Sequence, residues 1–119
     1  RHGGQGGVIV NITSAAAKLG GAGQYLHYAA SKAGLEAFCH GLGLEVATEG
    51  IRVVGIRPGM IDTEMHARMG MPDRLAELTP AVPMARAGTA EEVAETALWL
   101  IGDGASYVTA TTIEVTGGR

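Results

Sequence analysis

One cysteine in 119 residues, Cys39, leaves nothing from which to build a disulfide framework or a cysteine metal site. It falls in a run that reads as helix, and a lone thiol suits a reducing compartment, so a cytoplasmic protein is expected. No apolar run approaches the roughly eighteen residues that cross a bilayer. The start, Arg1-His2-Gly3-Gly4, lacks the apolar core of a secretory signal, so neither a membrane span nor export is expected. Basic charge is also scarce. Nine Lys and Arg against twelve Asp and Glu give a net charge of −3 with no basic block, which disfavours nucleic acid as a partner. His2, His27 and His40 have no carboxylate or cysteine at ligand spacing, so no metal site is expected. Internal repeats are absent, and low complexity is confined to the glycines between Gly3 and Gly7.

What is present supports a core. Hydrophobic residues make up 46% of the chain and charged residues 18%, at a mean hydropathy of +0.17, which excludes a disordered tail. The length fits one domain or part of one, and a first residue Arg1 in place of Met leaves a processed or truncated chain open. All four prolines (Pro58, Pro72, Pro80, Pro83) and all five methionines (Met60, Met65, Met69, Met71, Met84) fall between positions 58 and 84, marking one long insertion in one folding unit.

Val8 to Thr13 is a mostly β-branched run with weak alternation, which predicts a strand covered on both faces. From Tyr28 to Glu49 no proline interrupts, and Tyr28, Leu35, Cys39, Leu42 and Val46 form a stripe that ends at Gly50, predicting a long helix. A neighbouring stripe, Ala30, Ala33, Ala37, Gly41 and Leu44, is mostly small and suits close approach of a partner helix, including one from another subunit. Ile51 to Arg57 reads as a second strand closed by Pro58-Gly59, so the first unit is βαβ with parallel strands and a right-handed crossover. Thr89-Ala90-Glu91-Glu92 has the form of a capping box ahead of Val93, Ala97, Leu100 and Ile101. That second helix stops at Gly102-Asp103-Gly104, and Thr111 to Val115 gives a third strand. The alternation predicts an α/β chain with an open parallel sheet.

Tyr28-Ala29-Ala30-Ser31-Lys32 sets a phenol and an ammonium four residues apart on one helix face. A free phenol ionises near ~10, and a cation close by favours the phenolate. On spacing alone, such a pair is more often a snorkelling lysine beside a half-buried tyrosine. Ser14 follows the first strand at the carboxyl edge of the sheet, where ligands bind in open parallel sheets. Thr13 should point to the opposite face and serve structure. Tyr25 competes with Tyr28, but the residue four further on is Ala29, so Tyr25 reads as a packing or substrate-loop residue.

These segments resemble the classical short-chain dehydrogenase/reductases. The resemblance runs through Val8 to Ser14, Tyr28 to Gly34 with its Tyr-x-x-x-Lys, Ile51-Arg52-Val53, Arg57-Pro58-Gly59 with Thr63, and Ile113 to Gly118. It implies a Rossmann-like, doubly wound parallel sheet and an oxidoreductase that interconverts an alcohol and a carbonyl compound with NAD or NADP. Tyr28 is then the proton donor or acceptor. Lys32 binds the nicotinamide ribose, and Ser14 holds the substrate oxygen. Pro58 and Gly59 turn beside the nicotinamide, Ile61 offers backbone groups to the carboxamide, and Thr63 contacts the amide or a phosphate. Taken without the family, a Pro-Gly after a strand is an ordinary turn. The segment 60–84 falls where the family places its substrate lid, with Met60, Met65 and His66 toward substrate; the same methionines would equally fill an ordinary hydrophobic seam. His66 and Arg68 suit a polar or anionic substrate group, or simply solvent.

The family's glycine-rich turn after its first strand has no counterpart here, since Gly3, Gly4, Gly6 and Gly7 precede a strand. The chain is therefore expected to be the carboxyl-terminal part of one such domain, without the half that binds pyrophosphate. Val54 stands where relatives often carry Asn. The parent enzyme is expected to be a homo-oligomer, a dimer or tetramer, acting on a small alcohol or carbonyl compound. The rival reading is a non-catalytic interaction module that cannot hold a dinucleotide.

Overall fold

Branching at Cβ suits Val8, Ile9 and Val10 to a pleated backbone, and in the computed structural model Gly7–Ile12 forms strand β1. The structure describes residues 4–68 and 70–119, and of His66 and Ala67 the backbone alone. Ile51–Pro58 is β2 and Thr111–Val115 is β5, and these three strands form one parallel sheet in the order β1-β2-β5. As the central strand, β2 buries Val53, Val54 and Ile56 completely.

Strand alternation divides the sheet into two faces. Register sets Val10 beside Val54 and Ile56 beside Ile113, and this face packs on Val93, Ala97 and Leu100 of helix α5 (Ala90–Ile101). The other face carries Asn11 and Arg57, which bond to Cys39 and Glu36 of helix α2 (Leu26–Val46). The sheet is thus covered on both sides, as a doubly wound α/β fold requires. The two crossovers step across the sheet in the same direction with helices on opposite faces, so they have opposite hands, and one departs from the right-handed rule.

Two expectations change. β1 has α5 on one face and α2 on the other, but as the edge strand among the described residues it is only partly covered, with Ile9 and Ile12 42% and 47% exposed. Its composition reports burial that the described residues do not supply. Helix α2 starts at Leu26, two residues before the apolar stripe, and becomes a 3-10 turn at Ala47–Glu49 before Gly50. Its fully buried positions are Ala29, Cys39 and Gly43, with Lys32, Leu35, Glu36, Leu42 and Val46 half-buried and Tyr28 exposed. The inner face is rotated from the apolar stripe toward small and charged residues. At Gly43 a Cβ would stand 2.8 Å from Ala110 Cα, so glycine sets how closely the helix approaches. Ala30, Ala33, Ala37, Gly41 and Leu44 are exposed, and no helix among the described residues covers them.

The capping box forms. Thr89 Oγ1 accepts the Glu92 N–H at 3.2 Å, while Glu92 accepts the Thr89 N–H at 2.9 Å. Arg86 grips the same carboxylate with two nitrogens, and these bonds, followed by that from the Thr89 N–H, hold Glu92 down to about 2. Between β2 and α5 lie strand β3 (Ile61–Asp62), helices α3 (Met65–Arg68) and α4 (Arg74–Leu78), and strand β4 (Gly88–Thr89), which pairs parallel with β3. Two-residue strands carry no periodicity and were invisible in the sequence. Helix α1 (Ala16–Leu19) follows β1. Among the described residues no helix is long and apolar enough to cross a membrane.

Thr89→Ala should lower stability by about 1 kcal/mol, read as a smaller urea midpoint at unchanged slope. Ala110 sits at φ +53, in the left-handed region that costs an L-residue ~1 kcal/mol. Ala110→Gly should therefore raise the midpoint; an unchanged or lower value would show that the turn is not strained.

Candidate active site

The carboxyl end of β1 holds Ser14 and receives Lys32, which has Tyr28 beside it. Lys32 Nζ donates to the Ile12 carbonyl, the last of β1, at 3.0 Å, and lies 5.8 Å from the centre of the Tyr28 ring. Helical spacing thus brings the phenol and ammonium to one face at the strand end. Ser14, two residues beyond Ile12, is half-buried, and its Oγ accepts the Ala16 N–H at 3.1 Å. The Ala15 N–H donates to the Pro58 carbonyl at 2.9 Å, which joins the Ser14 segment to the Pro58-Gly59 turn. A Cβ on Gly59 would meet Thr116 Cα at 2.8 Å, so only glycine passes there.

Tyr25 meets Tyr28 edge to face at 6.0 Å between centroids, and Arg74 of α4 stacks on Tyr25 while donating to Gln24 Oε1 at 2.7 Å. Tyr25 therefore packs, and it does so under the 60–84 segment. Met60 and Ile61 are half-buried and tied to β4 through the Gly88 N–H on the Met60 carbonyl. Thr63 and Met65 line an open concavity of about 460 Å³ with Glu64 and Arg68. Thr63 Oγ1 accepts the Met65 N–H at 3.4 Å, and Arg68 pairs with Glu64. The side chain of His66 lies outside the described residues, as do His2 and Met69.

Beneath the Tyr28 face runs a set of charges that sequence reasoning missed. Arg57 of β2 donates through Nε and Nη2 to the two carboxylate oxygens of Glu36 on α2, at 2.8 and 2.5 Å, and through Nη1 to Glu114 of β5. Glu114 also takes Lys18 Nζ at 3.2 Å. Thr13 Oγ1 donates to Glu36 at 2.7 Å and is buried, so its structural assignment holds. The Arg57 bonds hold the Glu36 carboxyl below the usual glutamate range against the opposing effect of burial, with Thr13 assisting. Glu36 in turn holds Arg57 well above its ordinary value, with Glu114 adding to it. Parallel register places Arg57 beside Glu114, a cross-strand opposite-charge pair legible once the strands are aligned.

A family profile described as enoyl-(acyl carrier protein) reductase matches residues 1–119. The chain belongs to the short-chain dehydrogenase/reductase family. It is 50% identical over 119 residues to an uncharacterized oxidoreductase, YgfF, of Escherichia coli, covering all of this chain and 48% of the relative. It is 47% identical over 113 residues to the 3-oxoacyl-[acyl-carrier-protein] reductase FabG of Chlamydia pneumoniae, covering 94% of this chain and 44% of the relative. Among solved structures, a 7α-hydroxysteroid dehydrogenase complexed with NADH and 7-oxo glycochenodeoxycholic acid matches at TM-score 0.88 and 32% identity, over 96% of this chain and 44% of that one. A blue fluorescent protein from a metagenomic library, in complex with NADPH, matches at TM-score 0.86 and 32% identity, over 96% of this chain and 45% of that one. The chain spans about half the length of the relatives it matches.

Glu36 stabilises the fold above the unfolded glutamate pKa, near ~4.3, and that contribution is lost as pH falls through its lowered folded value. Urea midpoints should fall as pH drops below about 4.3, and less steeply in Glu36→Gln. Equal slopes would show that the Arg57 pair does not act on Glu36 in solution.

Proposed function

We propose that this chain supplies the acid–base residues and the nicotinamide end of the site in an NAD(P)-dependent oxidoreductase that interconverts an alcohol and a ketone or aldehyde. The observation that carries this reading is Lys32, held at the carboxyl end of β1 within 5.8 Å of the Tyr28 ring centre. An ammonium has three donors, and the Ile12 carbonyl takes one. The remaining capacity fits vicinal ribose hydroxyls, so the residues present suit the nicotinamide riboside. Among the described residues no glycine-rich turn joins a strand to a following helix, so the pyrophosphate has no counterpart holder here.

When bound, a nicotinamide would supply the hydride chemistry. Tyr28 holds or releases the proton at its phenol oxygen, and Lys32 would hold the ribose hydroxyls. Ser14 would orient the substrate oxygen, and Pro58, Gly59, Ile61 and Thr63 would hold the nicotinamide. Segment 60–84 acts as the lid, with Met60, Met65 and His66 toward substrate. The chain acts as the carboxyl-terminal part of one dinucleotide-binding domain, and the free outer edge of β1, with Ile9 and Ile12 exposed, is where the remaining strands add. The exposed small face of α2, with Leu26 and Phe38 at 65% and 56% exposure, supports a homo-oligomer.

Titration of the protein as its gene encodes it with NADH and NADPH, followed by nicotinamide fluorescence, tests the cofactor reading, with Lys32→Ala expected to abolish saturable binding. In the protein as its gene encodes it, Tyr28→Phe should slow reduction of 3-oxoacyl thioesters or oxosteroids by roughly 10²-fold or more. An unimpaired Tyr28→Phe enzyme would remove Tyr28 from the acid–base role. Absence of dinucleotide binding by that whole protein would leave the interaction-module reading.

A further inference from the structure

Lys32 has two neighbours along α2 at one helical turn. Tyr28 precedes it by four residues and Glu36 follows it by four, and a carboxylate at that spacing is an ordinary partner for an ammonium. Yet no ion pair joins Lys32 to Glu36 among the described residues; the ammonium goes to the Ile12 carbonyl instead. Glu36 is already engaged. One of its oxygens accepts from Thr13 Oγ1 and Arg57 Nε, and the other from Arg57 Nη2. Arg57 reaches it from the sheet with a planar fork that matches a carboxylate, where lysine offers a single flexible point charge. Glu114 anchors the fork from the far side and is itself held by Lys18.

We propose that Arg57 is a positioning residue: by occupying Glu36 it keeps that carboxylate from capturing Lys32, so that the ammonium stays at the strand end beside Tyr28. Its consequence for dinucleotide binding rests on the function proposed above, whereas the placement of Lys32 stands apart from it. The device is one of competition. Two cations lie within reach of one carboxylate, and the one that cannot serve the site is built to win.

The proposal separates from a merely structural ion pair by its asymmetry. If Glu36 and Arg57 only held the fold, removing either would do similar harm. If Arg57 shields Lys32 from Glu36, then Arg57→Met harms the site, Glu36→Gln spares it, and the double variant restores it.

Crystal structures of Arg57→Met, Glu36→Gln and the double variant, in the protein as its gene encodes it, read the position of Lys32 Nζ directly, and NADH and NADPH titrations read the consequence. In Arg57→Met, Lys32 is expected to leave Ile12 for Glu36, with dinucleotide binding weakened about tenfold or more, the scale of one lost charge-assisted hydrogen bond. In Glu36→Gln and in the double variant, Lys32 stays on Ile12 and binding lies within about threefold of the parent. Lys32 remaining on Ile12 in Arg57→Met, or a double variant as impaired as that single one, overturns the proposal. If Arg57→Met does not fold, Arg57→Lys replaces it. A point charge leaves one Glu36 oxygen open, so Lys32 should divide between Ile12 and Glu36, and an undisturbed Lys32 is equally fatal to the idea. Should the parent bind neither dinucleotide, the proposed function fails, and the position of Lys32 still decides this inference.

Discussion

The grip of Arg57 on Glu36 is the contact that occupies the carboxylate one helical turn from Lys32. It joins the central strand to the helix that carries Tyr28 and Lys32, and it does so at the sheet edge where those residues gather. A second fixed point lies two turns further along α2, where Gly43 lets the backbone come down on Ala110 and His40 reaches the Ala110 carbonyl at 2.8 Å. One anchor is a pair of charges and the other a missing Cβ. The Gly43 contact sets how closely α2 comes to the sheet, and the charges meet one helical turn beyond Lys32, where the helix passes the strand ends.

Such a pair is not placed there for stability alone. Two partly buried ions must each give up water, and a well-packed apolar pair of similar volume often does as well or better. The pair is only partly withdrawn from solvent, with side-chain exposures of 18% and 15%, so part of that cost is avoided. What charge supplies that an apolar contact does not is direction, because a fork on a carboxylate has one good geometry. Thr13 completes the arrangement by donating to Glu36 from the residue before Ser14, so the strand end, the helix and β2 share one bonded cluster.

Much of the framework was legible in the sequence because it rests on local patterns. β-branched runs marked β1, β2 and β5, the proline-free stretch marked α2, and Thr89 with Glu92 announced the start of α5. Less legible was which face of α2 turns inward. The apolar stripe pointed through Leu35 and Leu42, whereas burial centres on Ala29, Cys39 and Gly43, with Lys32 and Glu36 half-buried between them. Pattern reading counts apolar atoms, and this face is buried through small residues and satisfied charges, which such counting passes over. The pairing of β3 with β4 escaped for a different reason, since two residues have no period.

Lys32 and Glu36 show where local reading points the wrong way. Taken from the helix alone, their spacing argues for an ion pair with each other. The structure instead sends Lys32 to a carbonyl at the end of β1 and gives Glu36 to an arginine 21 residues further along the chain. Nothing near either residue announces Arg57, whose place beside Glu36 exists only after β2 has crossed back alongside β1 and brought the Pro58-Gly59 turn against Thr116. The recognisable Tyr-x-x-x-Lys pattern is local in sequence. The contact that engages the carboxylate one turn beyond its lysine is one that only the fold creates.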